Sequence, residues 1–263
     1  MEEASPDRRA GSIQVLQRAT DVLDVVARAH SPLSGAELAR QVGLNKSTAF
    51  NILATLVDLG FLSYAPEGRR YRLGPRAFQL SNAFQASFQL SAIAESWLYT
   101  LRDDTGETAS LHVRSGWDRV CIVQAPSLQS ITRVIELGRR RPLYTGAAGM
   151  VLLSGLDDVR VKDYLAKTKL VQATRNTVTE PERVQAKVAQ ARELGFAEAY
   201  EESENGVNAL AVPVRDQTGS IDTALVISGP TTRYDKPAME RTLAAAQSAA
   251  AEISRERGNI VGG

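Results

Sequence analysis

Within seven residues, Asn45, Lys46, Ser47, Thr48, Phe50 and Asn51 offer a cation, two hydroxyls, two amides and an aromatic ring. These are the groups that reach phosphates, base edges and thymine methyls in a DNA major groove. Two other constellations could do covalent or acid–base chemistry. His112 and Cys121 fall on neighbouring expected strands and could form a thiol–imidazole pair. Glu201, Glu202 and Glu204 could form an acid–base cluster. Neither has a third orienting group or a partner base. A lone cysteine is among the commonest core residues, and a charge run on a loop is ordinarily solvated. The expectation is therefore no catalytic residue and no enzyme. His30, His112 and Cys121 are the only soft ligands, so a closed metal site is not expected. No Gly-x-Gly-x-x-Gly or P-loop pattern occurs, and no cofactor is expected.

The elements that must position the first group follow from periodicity and punctuation. Ser12 to Ala29 carries Ile13, Leu16, Ala19, Val22, Leu23, Val26 and Ala29 on one helical face. His30-Ser31-Pro32 ends that helix. A short helix follows from Ser34, whose hydroxyl can cap it while Glu37 completes a capping box. Gly43 stands just past its end, where a left-handed backbone is favoured, and Asn45 can cap a third helix. Wound at about 100° per residue, the third helix gathers Ala49, Ile52, Leu53 and Leu56 on one arc. Ser47, Asn51, Ala54 and Asp58 face the opposite way. This is a helix-turn-helix, and its exposed N-terminal half carries the chemistry named above. Phe61–Tyr64 and Arg70–Leu73 read as strands around the turn Ala65–Arg69. A hairpin directly after a recognition helix is a wing, and Arg69, Arg70 and Arg72 are placed to touch backbone or minor groove. The whole chain carries a net +1, yet Asn45 to Arg76 holds five bases against two acids. Such a local patch is what phosphate contact requires.

Gly74-Pro75 breaks the chain, and Arg76 to Phe88 resumes as a helix with Phe78, Leu80, Phe84 and Phe88 as an apolar stripe. From Ser91 the pattern is mixed. A helix runs to about Asp104, and strands follow at Ala109–Val113, Val120–Ala125 and Arg133–Leu137. Helices are expected at Gly146–Leu153, Asp157–Ala166 and Pro181–Leu194. Strands at Phe196–Tyr200, Asn208–Val214 and Thr223–Ser228 precede a last helix, Lys236–Arg257. Adjacent strand pairs with helices between two sheet halves predict an antiparallel sheet flanked by helices. The segment Tyr144-Thr-Gly-Ala-Ala-Gly149 opens a helix with small residues, whose free backbone N–H groups suit a carboxylate. Apolar runs are broken by charge well before 18 residues, so no membrane span is expected. The charged N-terminus lacks a signal-peptide core, and a single cysteine fits a reducing cytoplasm.

At this level of detail the chain resembles the IclR family of bacterial regulators. The resemblance is carried by Ser12–Ala19, Leu38–Thr48, Leu53–Leu56, Gly60–Leu62 and Tyr71–Arg76 in the first part. In the second it is carried by Thr105–Thr108, Glu193–Phe196, Glu201-Glu202, Ala211–Val214 and Ile227–Pro230. It implies an α+β protein: an N-terminal winged helix-turn-helix plus a C-terminal GAF/PAS-like effector domain with an antiparallel sheet. The expected divisions are a flexible N-terminus 1–11, a DNA-binding domain 12–75, a linker helix 76–90, an effector-binding and oligomerisation domain 91–257, and a flexible tail 258–263. Carried onto this chain, the effector site comprises Ala147, Ala148, Gly149, Ala199, Ala209, Val226 and Ser228. The resemblance further implies a near-palindromic double-stranded DNA operator, a small organic acid effector, aromatic acids included, and a homodimer or homotetramer. The setting is the cytoplasm, at the nucleoid. Repression of a catabolic operon is the expected role; the alternatives are an activator of the same architecture or a DNA-binding protein without effector. Asn45, Phe50 and Asn51 depart from the family's usual proline, histidine or tyrosine, and arginine. Met150 replaces its usual lysine, which implies a pocket with less positive charge than usual or none, and Ala199 and Ala209, standing where relatives can have polar groups, imply a larger, less polar effector than a two-carbon acid.

Overall fold

The computed structural model describes residues 13–29, 31–87 and 89–259, with side chains outside 82–89 and 259. They form two compact units that divide after Ser87. The expected helix start at Ser12, His30, the side chains of Phe84 and Phe88 and the expected flexible end 1–11 lie outside the described residues.

The first unit contains α1 (Gln14–Arg28), β1 (Leu33–Ser34), α2 (Gly35–Val42), α3 (Lys46–Asp58), β2 (Leu62–Ala65), β3 (Arg70–Leu73) and α4 (Pro75–Ser87). The capping box forms: Ser34 Oγ accepts from the Glu37 amide, and the Glu37 carboxylate accepts from the Ser34 amide. Gly43 ends α2 with φ +69°. Val22, Val26, Leu38, Ile52, Leu53, Leu56, Leu62 and Tyr71 make one core. Each large aliphatic side chain so buried contributes roughly 1.5–3 kcal/mol. The apolar face of α1 is buried only in its second half; Ile13 and Leu16 are each 63% exposed. A short strand that the sequence did not announce, β1, pairs with β3 and makes the hairpin a three-stranded antiparallel sheet of order β1-β3-β2. Gly74 permits that sheet to close, because a Cβ there would run into the backbone of Gly60 and Leu62.

The second unit contains α5 (Gln89–Thr105), β4 (Thr108–Ser115), β5 (Asp118–Ala125), β6 (Arg140–Pro142), α6 (Gly146–Ser154), α7 (Asp158–Lys167), α8 (Pro181–Leu194), β7 (Ala197–Tyr200), β8 (Val207–Arg215), β9 (Ile221–Pro230) and α9 (Lys236–Asn259). Its six strands form one antiparallel sheet of order β6-β5-β4-β9-β8-β7. Strand alternation divides the side chains between two cores. Leu111, Leu210, Val212, Leu225 and Ile227 pack with α5 and α9, including Leu98, Leu101 and Ile253. Ala211, Ala224 and Val226 pack with α6, α7 and α8. Helix α6 is buried at every residue, which explains its uniformly small and apolar sequence. The last helix reaches Asn259, two residues into the expected tail.

The expected strand Arg133–Leu137 does not form; on the edge away from β4, the strand paired with β5 is β6. A side chain takes over the pairing there. The Gln124 amide donates to the Ile135 carbonyl (2.7 Å) and accepts from the Ile135 amide (2.9 Å). Thr108 Oγ1 donates to the Arg133 carbonyl (2.6 Å), and Arg233, held by the buried Glu107, donates to the Ile131 carbonyl. The segment is therefore fixed without a backbone ladder, and β-propensity alone could not foresee that.

Candidate functional sites: a polar helix face and a cationic cavity

In the first unit α3 presents its N-terminal half outward. Lys46, Ser47 and Asn51 are exposed and Thr48 is half-buried, while Ala49, Ile52, Leu53 and Leu56 are buried. Asn45 caps the helix: its side-chain oxygen accepts from the Thr48 amide and from Ser47 Oγ, both at 2.9 Å. That leaves the Asn45 amide NH2, Lys46 and the positive end of α3 on one surface, an arrangement that attracts phosphate. Phe50 straddles the boundary, 42% exposed, with its ring edge over Gly35. In the hairpin, Tyr71 turns inward, while Arg70 and Arg72 flank it on the outer face. Arg69 sits in the turn with φ +50°, a left-handed conformation that a side chain adopts at a cost. Arg70 differs from its neighbours in having partners within its own unit. Its guanidinium donates to the Pro32 carbonyl (2.7 Å) and lies 3.8 Å from the Glu37 carboxylate. It ties the hairpin to the capping box of α2.

In the second unit a small cavity lies on the α6 side of the sheet. Ala147, Ala148, Ala209, Val226 and Ser228 line it; Gly149 and Ala199 do not. Gly149 is there for packing, since a Cβ would drive into the Leu143 carbonyl, and Ala199 is buried in the adjoining core. The sequence reading missed most of the polar lining: His112, Arg119, Arg133, Arg139, Arg141 and Ser203. The expected low positive charge is thus overturned. Met150 does not line this cavity at all, so its replacement of a lysine says nothing about the charge here. The available signal was the alternation of the strands. His112 on β4 and Arg119 and Cys121 on β5 occupy the inward positions opposite the apolar face. A register shift between Leu111 and His112 leaves Ile122 unpaired and sets His112 opposite Cys121.

The floor of the cavity carries an unusual charge. Arg119 is 7% exposed and has no carboxylate partner among the described residues. Its guanidinium reaches His112 Nδ1 (3.3 Å) and the Thr145 carbonyl (3.5 Å), and its Nε has no partner among the described residues. Burial, reinforced by Arg141, pulls its pKa down to about 10. A guanidinium cannot accept a hydrogen bond, so His112 Nδ1 is unprotonated and Nε2–H faces Ser110 Oγ at 3.2 Å. Burial, then the field of Arg119, holds the imidazole well below its ordinary pKa. Ser228 Oγ, buried in the same lining, has no hydrogen-bond partner among the described residues. A buried cation with no counter-charge among the described residues, in a cavity whose lining also holds an unpaired hydroxyl, is a site built for an anion.

Cys121 does not pair with His112 chemically. Its Sγ donates to the Val123 carbonyl, and burial pushes the thiol up to about 12. A nucleophilic cysteine requires the opposite shift. Glu201, Glu202 and Glu204 are dispersed rather than clustered. Glu202 pairs with Lys187, and Glu204 bridges Arg133 and Arg141. Glu201 takes φ +52° at the start of the turn that supplies Ser203. Among the described residues no three His, Cys, Asp or Glu side chains are grouped to hold a metal ion, and no helix is long and apolar enough to cross a membrane.

Comparison with known proteins matches this architecture along its length. The family model for the IclR helix-turn-helix domain matches residues 15–66, and that for the bacterial transcriptional regulator IclR C-terminal domain matches residues 83–255. The chain is 30% identical to the HTH-type transcriptional regulator XynR of Escherichia coli over 246 residues, 94% of this chain and 98% of that one. It is 27% identical to the transcriptional repressor IclR of Escherichia coli over 252 residues, 95% and 92% of the respective chains. Among solved structures, an IclR-type transcriptional regulator from Alicyclobacillus acidocaldarius superposes with a TM-score of 0.80 at 28% identity, covering 94% of this chain and all of that one.

Proposed function

From the premise that this chain belongs to the IclR family of bacterial transcriptional regulators, we propose that it is a repressor whose grip on an operator is set by a small organic acid. The observation that carries the effector class is the Arg119 guanidinium, buried in the cavity lining without a counter-charge among the described residues. A carboxylate seated on Arg119 supplies its missing counter-charge, and the start of α6, with Ala147 and Ala148 in the lining, lets the ligand approach closely. The DNA contacts we assign are Asn45, Lys46, Ser47, Thr48, Phe50 and Asn51 on α3, with Arg69 and Arg72 on the wing. Lys46, Arg69 and Arg72 supply phosphate affinity, and Ser47 and Asn51 read bases; Asn51 suits the bidentate pairing with adenine.

Two copies bind a near-palindromic double-stranded operator in this reading, as a homodimer or a pair of dimers in the cytoplasm. The ligand acts only through its preference for one arrangement of the subunits. Repression follows the similarity to the repressor IclR. The thiol pushed up to about 12 favours a regulator over a cysteine-based enzyme. The deciding experiment is a gel shift at fixed salt on the DNA upstream of the protein's own coding region, repeated with small aliphatic and aromatic acids. Specific binding that an acid weakens supports the reading; specific binding that no acid alters sinks the effector half of it. An acid that strengthens binding reverses the expected direction of control.

A further inference from the structure

The cavity carries more positive charge than one carboxylate can neutralise, and the surplus falls in two places. Four arginines line it: Arg119 at the floor, and Arg133, Arg139 and Arg141 toward the mouth. Arg139 is matched by Glu136 at 3.2 Å. Arg133 and Arg141 share a single carboxylate, that of Glu204, at 2.8 and 3.4 Å. Arg119 has none among the described residues. One uncompensated cation therefore remains at the floor and one at the rim. Arg133 and Arg141 both act on Arg119 through space, so the three cations repel one another across the same cavity. An ensemble of like charges in a low-dielectric cavity is relieved by an equal number of opposite charges on its ligand.

We infer that the effector is a dianion, with one carboxylate on Arg119 at the floor and a second acidic group on Arg133 and Arg141 at the rim. This inference rests on the proposed reading of the cavity as the effector site. It makes Glu204 an intramolecular competitor of the second acidic group. The Glu204 carboxylate holds the rim arginines until the ligand's second charge displaces it.

The test is calorimetric titration of the full-length protein with matched acids on the same skeletons: hexanoate against adipate, pentanoate against glutarate, and benzoate against terephthalate and isophthalate. The expected result is that on at least one skeleton the diacid binds about tenfold tighter or more than its monoacid. Arg141→Gln should then erase the diacid's advantage and leave the monoacid within about twofold. Glu204→Gln should act oppositely, tightening the diacid alone, which a merely damaged fold would not do. Monoacids binding as tightly as diacids on every skeleton, or Arg141→Gln weakening both alike, overturns the dianion inference while leaving the organic-acid reading intact. Binding by none of these acids overturns both.

Discussion

Replacing Arg119 by methionine should make the empty protein more stable and the liganded protein less so. The depression of Arg119 from 12.5 to about 10 corresponds to about 3 kcal/mol of penalty for keeping the guanidinium charged in the folded state. The group is buried, so solvent screening does not erase this figure. Because the folded value lies below the unfolded one, the penalty is fully present at neutral pH and fades only as pH rises past about 10. Against it stands the hydrogen bond to His112 Nδ1, whose loss leaves a buried acceptor unpaired at a cost of roughly 1–2 kcal/mol. Methionine fills similar space without a polar atom. The net expectation is a gain of about 1–2 kcal/mol, or about 2–8 °C in the melting temperature of the C-terminal unit. An acid effector at one hundred times its Kd adds about 2.7 kcal/mol to the wild type and should add nothing to Arg119→Met. Differential scanning calorimetry with and without acid reads both effects. A variant that melts lower than the wild type and still responds to acid would refute the assignment of Arg119 as an unpaired anion receptor.

The other predictions address separate parts of the molecule. Arg72→Ala should lower the magnitude of the salt slope of DNA binding by about one, measured by fluorescence anisotropy across salt concentrations. Arg70→Ala should chiefly destabilise the first unit, since its guanidinium is committed to Pro32 and Glu37. Arg69→Gly should stabilise that unit by roughly 1 kcal/mol through relief of the left-handed backbone, yet weaken DNA binding through loss of a cation; a loss of stability in denaturant melts would contradict the first half. Gly149→Ala should destabilise by about 1–3 kcal/mol or more, because its Cβ meets the Leu143 carbonyl. Urea unfolding measures that directly. His112 stays neutral in the folded state well below pH 6.5, whereas the unfolded chain takes up a proton there. Stability should therefore fall as pH drops below about 6.5, by up to about 1.4 kcal/mol per pH unit, and His112→Gln should flatten that fall.

Much of the first unit was legible because its signals are local. The Ser34–Glu37 capping box, Gly43 beyond α2 and Asn45 before α3 each act within four residues, and the helical arc of α3 separates Leu53 from Asn51 by geometry alone. The pairing of adjacent strand-like runs, such as those that became β8 and β9, likewise announced an antiparallel sheet flanked by helices. Where a side chain substitutes for backbone pairing, as Gln124 does at Ile135, periodicity misreads the segment as a strand. Arg70 read as a free cation because its partners, Pro32 and Glu37, lie more than thirty residues earlier.

The effector cavity divides in the same way. Small residues at the head of α6 marked a place where a ligand could approach. The charge of that place came from Arg119, Arg133 and Arg141, spread over two strands and an irregular segment. Sequence alone determined the two-part architecture, the cap-and-turn chemistry of the helix-turn-helix and the polar face of α3, all set by neighbours along the chain. Only the tertiary structure decided which arginines are spent and which are left over. The partners that neutralise a charge, such as Glu204 for Arg141 or Glu37 for Arg70, arrive from far along the chain, and an unpaired buried cation is defined by the carboxylate that does not come.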